Sequence, residues 1–126
     1  MADNHKQKEF ERRIGDIEQR AAEALPGDAL VIYSAYEMDA EGLPVDNLDQ
    51  VAVAGRCRFV QKNDPFFGRG EDYQSPTVSS PTWLQLCRLA NEMILATGDQ
   101  HHVFLEGVSE LREENGVKVF QFEMGS

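Results

Sequence analysis

The chain has 126 residues, of which twelve are basic and twenty-two acidic, for a net charge of −10 at pH 7. That length predicts one domain, 1–126, with enough core to fold without a metal or a disulfide. The acidic balance excludes nucleic acid and anionic membranes as partners, since both require a basic face.

The polar start Met1–Lys6 has no apolar leader, and no stretch is long enough to span a bilayer. Residues 1–7 are expected to be disordered. Cys57 and Cys87 are too few for a disulfide framework and form no C-x-x-C motif. These features predict a soluble, cytoplasmic protein.

Phe10, Ile14, Ile17, Ala21 and Ala24 recur at spacings of four and three, which predicts an amphipathic helix from about Lys8 to Leu25, ended by Pro26-Gly27. The stripe is too short for a coiled coil and suits a helix lying on a sheet. Ala29–Tyr36 is β-branched and aromatic, and predicts a strand; apolar residues on both faces at its start suggest a central position. Asp39, Glu41, Asp46 and Asp49 follow in a loop around Gly42 and Pro44. Their spacing fits no calcium loop, and a solvated loop is expected.

Val51–Lys62 alternates, with Val51, Val53, Cys57 and Phe59 on one face and Arg56, Arg58 and Lys62 on the other. This predicts a half-buried strand whose outer face opposes the sign of the whole molecule, with cross-strand acids as the plain explanation. Residues 63–79 then form a long irregular loop, with room for a short strand near Gln74–Val78. The loop holds Phe66, Phe67, Arg69 and Tyr73, the residue types that dominate binding hot spots. Gly68-Arg69-Gly70 is not a phosphate loop, because no helix start follows it. The alternative is that the phenylalanines fold back on the core.

Ser80 and Pro81 read as the cap and first residue of a second helix, closed by Gly98. Trp83, Leu86, Cys87, Ala90, Met93, Ile94 and Thr97 share a face, and Leu84, Leu89 and Leu95 widen it. So broad an apolar surface predicts burial on more than one side, by another helix or by the second subunit of a homodimer. Asn115-Gly116 is the strongest two-residue hairpin signal. Counting outward pairs Glu114 with Val117, Glu113 with Lys118, Leu111 with Phe120, Ser109 with Phe122 and Gly107 with Met124. Leu105, Gly107, Ser109 and Leu111 then share the face of Phe120, Phe122 and Met124.

Asp99, His101 and His102 gather a carboxylate and two imidazoles at the helix-to-strand junction. Histidine is the natural acid–base group near neutral pH and the commonest metal ligand, so these three are the candidate ligand or divalent-metal site. In a regular strand His101 and His102 point apart, and Asp99 with His101 is the closer pair. Cys57 and Cys87 both fall on inward faces and read as buried apolar residues rather than nucleophiles. His5 and Glu9 read as solvated. No catalytic motif is present, so an enzyme is not favoured.

The elements predict an α+β domain in the order α-β-β-α-β-β, an antiparallel sheet of at least four strands with two helices packed on one face. The expected function is a non-enzymatic protein–protein interaction or adaptor module, homodimeric, working through Phe66, Phe67, Arg69 and Tyr73 and needing no cofactor. The alternative is a small-molecule or divalent-metal-binding domain using Asp99, His101 and His102.

Overall fold

Among the described residues the computed structural model has two helices and eight strands: α1 Ala2–Glu23, β1 Ile32–Tyr33, β2 Glu37–Met38, β3 Pro44–Val45, β4 Arg56–Gln61, β5 Tyr73–Gln74, β6 Val78–Ser79, α2 Trp83–Thr97, β7 Phe104–Glu114 and β8 Val117–Gly125. The structure describes residues 2–126, with side chains from Asn4 onward. Of the segment 1–7, Met1 lies outside the described residues, and 2–7 belong to α1.

The class is α+β, but the sheet is mixed rather than antiparallel. Its strand order is β1-β7-β8-β4-β5, with β6 also on β4. β1 pairs β7 in parallel and β4 pairs β8 in parallel, while β7–β8 and β4–β5 are antiparallel. The C-terminal hairpin inserts between the two earlier strand segments instead of extending a meander. β7 and β8 therefore carry the long central pairing, and β1 is an edge strand.

β1 is short because the backbone before it is already committed. Asn91 of α2, only 4% exposed, accepts the N–H groups of Leu30 and Val31 at 2.7 and 3.0 Å and donates to the Asp28 carbonyl at 3.3 Å. One helix side chain thus replaces a neighbouring strand. A second buried amide, Asn47, accepts from the Tyr33 hydroxyl at 2.6 Å and donates to the Ala35 carbonyl at 3.0 Å.

The acidic loop is pinned to α1 rather than free in solvent. Arg13 pairs with Asp39, and Arg20 pairs with both Asp46 and Asp49. Asp39 also accepts the backbone N–H groups of Glu41 and Leu43, and Leu43 and Leu48 are buried beneath the loop.

β4 begins only at Arg56, because Gly55 at φ +86° breaks the extended run expected from Val51. Cys57 and Phe59 point inward as alternation requires. Phe59 stacks on Phe120 and Phe122 with ring centroids 5.7 and 5.0 Å apart. Ile17, Ala21, Leu86, Ile94 and Leu105 join the same core, so both helices pack against the sheet's inner face.

The hairpin keeps the expected register only near the turn, where Glu114 faces Val117 and Glu113 faces Lys118. A bulge between Glu110 and Arg112 turns Leu111 outward, and Glu110 rather than Leu111 faces Phe120. A second irregularity between Leu105 and Gly107 flips the faces back. Leu105 then stands opposite Met124, on the core side where alternation had placed it.

α2 starts two residues later than Ser80 indicates. Its cap is Thr82, whose hydroxyl accepts from Gln85 N–H at 3.2 Å while Gln85 Oε1 accepts from Thr82 N–H at 2.8 Å. Ser80 has φ +46° and serves the chain crossing instead, its hydroxyl accepting from Gly55 N–H. The wide apolar face of α2 is covered within this chain. Leu86, Cys87, Leu89, Ala90, Met93 and Ile94 are buried, and Leu95 is the one large apolar residue of α2 left exposed.

Candidate functional site

The aromatic loop and the Asp-His junction, far apart in sequence, form one site at the C-terminal end of α2. Gly98 takes φ +73° and donates its N–H to the Ile94 carbonyl, closing the helix in a left-handed cap. The chain then makes a turn around Asp99, whose Oδ1 accepts the N–H groups of His101 and His102 at 3.0 and 3.3 Å. Asp99 Oδ2 lies 2.8 Å from His102 Nδ1.

β7 begins only at Phe104, so strand alternation does not govern the two histidines. The pair is Asp99 with His102, not Asp99 with His101. Burial pushes the Asp99 carboxyl up, but the His102 ring and the two backbone N–H groups outweigh it and hold the carboxyl below its usual range. A carboxylate at Nδ1 favours the tautomer protonated there, which leaves Nε2 free to accept a proton or a hydrogen bond.

The loop is a folded strap rather than an irregular tether. Asp64 Oδ1 accepts the N–H groups of Phe66 and Phe67, and Asp72 accepts from Asn63 N–H across the base. Arg69 and Gly70 N–H both donate to the Thr97 carbonyl at 2.9 Å, and Glu71 N–H donates to the Ala96 carbonyl at 2.8 Å. These satisfy carbonyls that the end of α2 would otherwise leave open. Gly70 is required here: a Cβ would stand 1.9 Å from the Ala96 carbonyl oxygen. The Gly-Arg-Gly run is therefore a device for helix capping.

The strap carries Phe67 onto the histidines. Its ring centroid is 4.7 Å from that of His101 and 5.2 Å from that of His102, the second contact edge-on. Phe67 is 41% exposed and Phe66 is 89% exposed, so Phe66 points to solvent. Arg69 is exposed, and its known contact is through the backbone. Tyr73 is no surface residue: it is 7% exposed in β5, and its hydroxyl donates to Glu92 at 3.2 Å. The expected four-residue interaction loop therefore divides, with Tyr73 in the core.

Beside His102 opens a cleft of about 450 Å³. Met93, Phe122 and Met124 give it apolar walls, and Lys62, Asn63 and Asp99 line it with polar groups. Gln61 and Asn63 also line it, but Gln61 Oε1 and Asn63 Oδ1 are themselves buried, meet no hydrogen-bond donor among the described residues, and Asn63 Oδ1 packs against Gly68. Sequence reasoning missed Gln61, Lys62 and Asn63 because each reads as an ordinary strand-end or turn residue. The turn-forming Asn63-Asp64-Pro65 run was the available signal.

Among the described residues, no three His, Cys, Asp or Glu side chains converge as a metal would require. Asp39, Asp46 and Asp49 of the acidic loop are engaged by Arg13 and Arg20, and Glu9 is held by Arg12 and Arg13, which bring its carboxyl down to about 2. Cys57 and Cys87 are both fully buried free thiols; burial pushes Cys57 up and Cys87 to about 12, the opposite of an activated nucleophile. Among the described residues no helix is long and apolar enough to cross a membrane. No protein-family model, curated protein or solved structure matches this chain.

Proposed function

We propose that this chain is a cytoplasmic small-molecule-binding domain whose site is the cleft beside His102, an imidazole that Phe67 packs against edge-on. The observation that carries this reading is the Asp99–His102 pair, its ring held by Phe67, at the edge of a cleft that has both apolar and polar lining residues. Ligand sites combine apolar walls with a few oriented polar groups, and this one has both. The ligand is small and polar, with a hydrogen-bonding group for His102 and an apolar face for Met124 and Phe122. A cytoplasmic setting accords with two unpaired cysteines.

Titration of the labelled protein with a mixture of small hydroxylated and amide-bearing aromatic fragments, followed by NMR, tests this. Saturable shifts should cluster on Lys62, His102, Phe122 and Met124 and vanish in His102→Ala. Shifts scattered over the surface, or unchanged by that substitution, would dismiss the cleft as a binding site.

A second reading, an interaction or adaptor module, is favoured by Phe66 alone, which stands almost fully exposed at the tip of an ordered strap. Its test is separate. Capture of a partner by the wild type that is lost in Phe66→Ala and kept in His102→Ala would support the module over the cleft.

A further inference from the structure

The outer face of the sheet, which neither helix covers, holds a groove of about 620 Å³ beside β4, β5 and β7. Leu111 lines it, 44% exposed, because the bulge at this position turned it away from the core. Val60 adds apolar surface, and the amides of Gln74 and Gln121 add neutral donors. Two cations reach the groove, Arg112 and Lys62. Arg112 is committed to Glu114 at 2.6 Å, whereas Lys62 makes no ion pair among the described residues. Asp72, the acid that lines it, already accepts from Asn63 N–H.

We infer that this groove binds a monocarboxylate with an aliphatic body, its carboxylate on the Lys62 ammonium and its chain over Leu111 and Val60. One uncommitted ammonium in a chain of net charge −10 suits a single negative charge and disfavours a dianion. Leu111 beside Val60 gives an aliphatic chain apolar surface to lie on next to that ammonium. Lys62 lines both the groove and the cleft described above, but Leu111 lines only the groove and His102 only the cleft, so substitutions at these two separate the sites.

Octanoate is the probe, titrated by calorimetry and NMR into the full chain. Saturable binding is expected, weakened about tenfold or more by Leu111→Ser and by Lys62→Gln, restored by Lys62→Arg, weaker for the uncharged octanol, and unchanged in His102→Ala. Leu111 and Lys62 are both exposed, so the variants keep the fold. Lack of saturation at millimolar octanoate, indifference to Leu111→Ser, or loss in His102→Ala would each overturn it. So would sedimentation showing a wild-type dimer that Leu111→Ser dissociates, because the groove would then be a contact between two copies.

Discussion

Val119 is fully buried on a face of the sheet that no helix covers, and Glu114 explains how. Arg58 on β4 and Arg112 on β7 stand level with Val119 on either side, and both guanidiniums bind the Glu114 carboxylate. The aliphatic stems of the two arginines are thereby held across the valine. Hydrogen bonds from Arg112 and Arg58 keep the Glu114 carboxyl below its usual range. Glu114→Gln should release both stems and lower the melting temperature by roughly a few degrees, with the difference shrinking at high salt. An unchanged melting temperature at low salt would mean that the arginines cover Val119 without Glu114.

Asn91 is the buried amide whose loss should cost most. Asn91→Ala removes the acceptor for two N–H groups, Leu30 and Val31, in a segment with no neighbouring strand to replace it. A loss of about 2–3 kcal/mol is expected in urea denaturation, with faster hydrogen exchange at both amides. Exchange that remains slow in the variant would show that the segment is held by something other than Asn91.

Helix existence, the inward faces of β4 and the hairpin turn were legible because they depend on local patterns: the apolar stripe of α1, Cys57 and Phe59 in alternation, and Asn115-Gly116. Strand order was not, because nothing in Ala29–Tyr36 or Val51–Lys62 says that β7 and β8 will come between them. The bulge at Leu111 was hidden because an apolar residue in the correct alternation reads as inward. Thr82 with Gln85 carries a capping-box signal of its own, and it overlaps the Ser80-Pro81 signal two residues earlier. At the site, Asp99, His101, His102 and the aromatic loop were each visible. Their meeting was not, since it depends on three backbone hydrogen bonds to the end of α2.

Those three bonds make Gly70 and Gly15 a controlled pair. Gly70→Ala places a methyl group against the Ala96 carbonyl and should lift the strap, costing roughly 2 kcal/mol or more and exposing the Arg69 and Glu71 amides to exchange. Phe67 should leave the histidines at the same time, seen as a shift of the imidazole resonances. Gly15, inside α1, has no neighbour within 4 Å of a built Cβ. Gly15→Ala should stabilise by roughly 0.5–1 kcal/mol through helix propensity alone. Equal effects from the two substitutions would mean that the strap does not clamp the helix end.

The Asp99–His102 pair makes an acid-limb prediction whose sign is fixed by the carboxyl. Its folded-state pKa lies below the unfolded value, so the unfolded chain binds more protons on the acid side and stability rises with pH there. The contribution is fully present above the ordinary carboxylate range and is lost as pH falls through the lowered value. Asp99→Asn should therefore be less stable than wild type at neutral pH, with the two curves converging below about pH 4. The variant amide can still accept from His101 and His102 N–H, but its NH₂ then faces His102 Nδ1 and favours the opposite tautomer. Nitrogen NMR of the imidazole should find the proton on Nδ1 in the wild type and on Nε2 in Asp99→Asn. If the variant keeps both the wild-type tautomer and the wild-type acid limb, the 2.8 Å contact does not orient the ring.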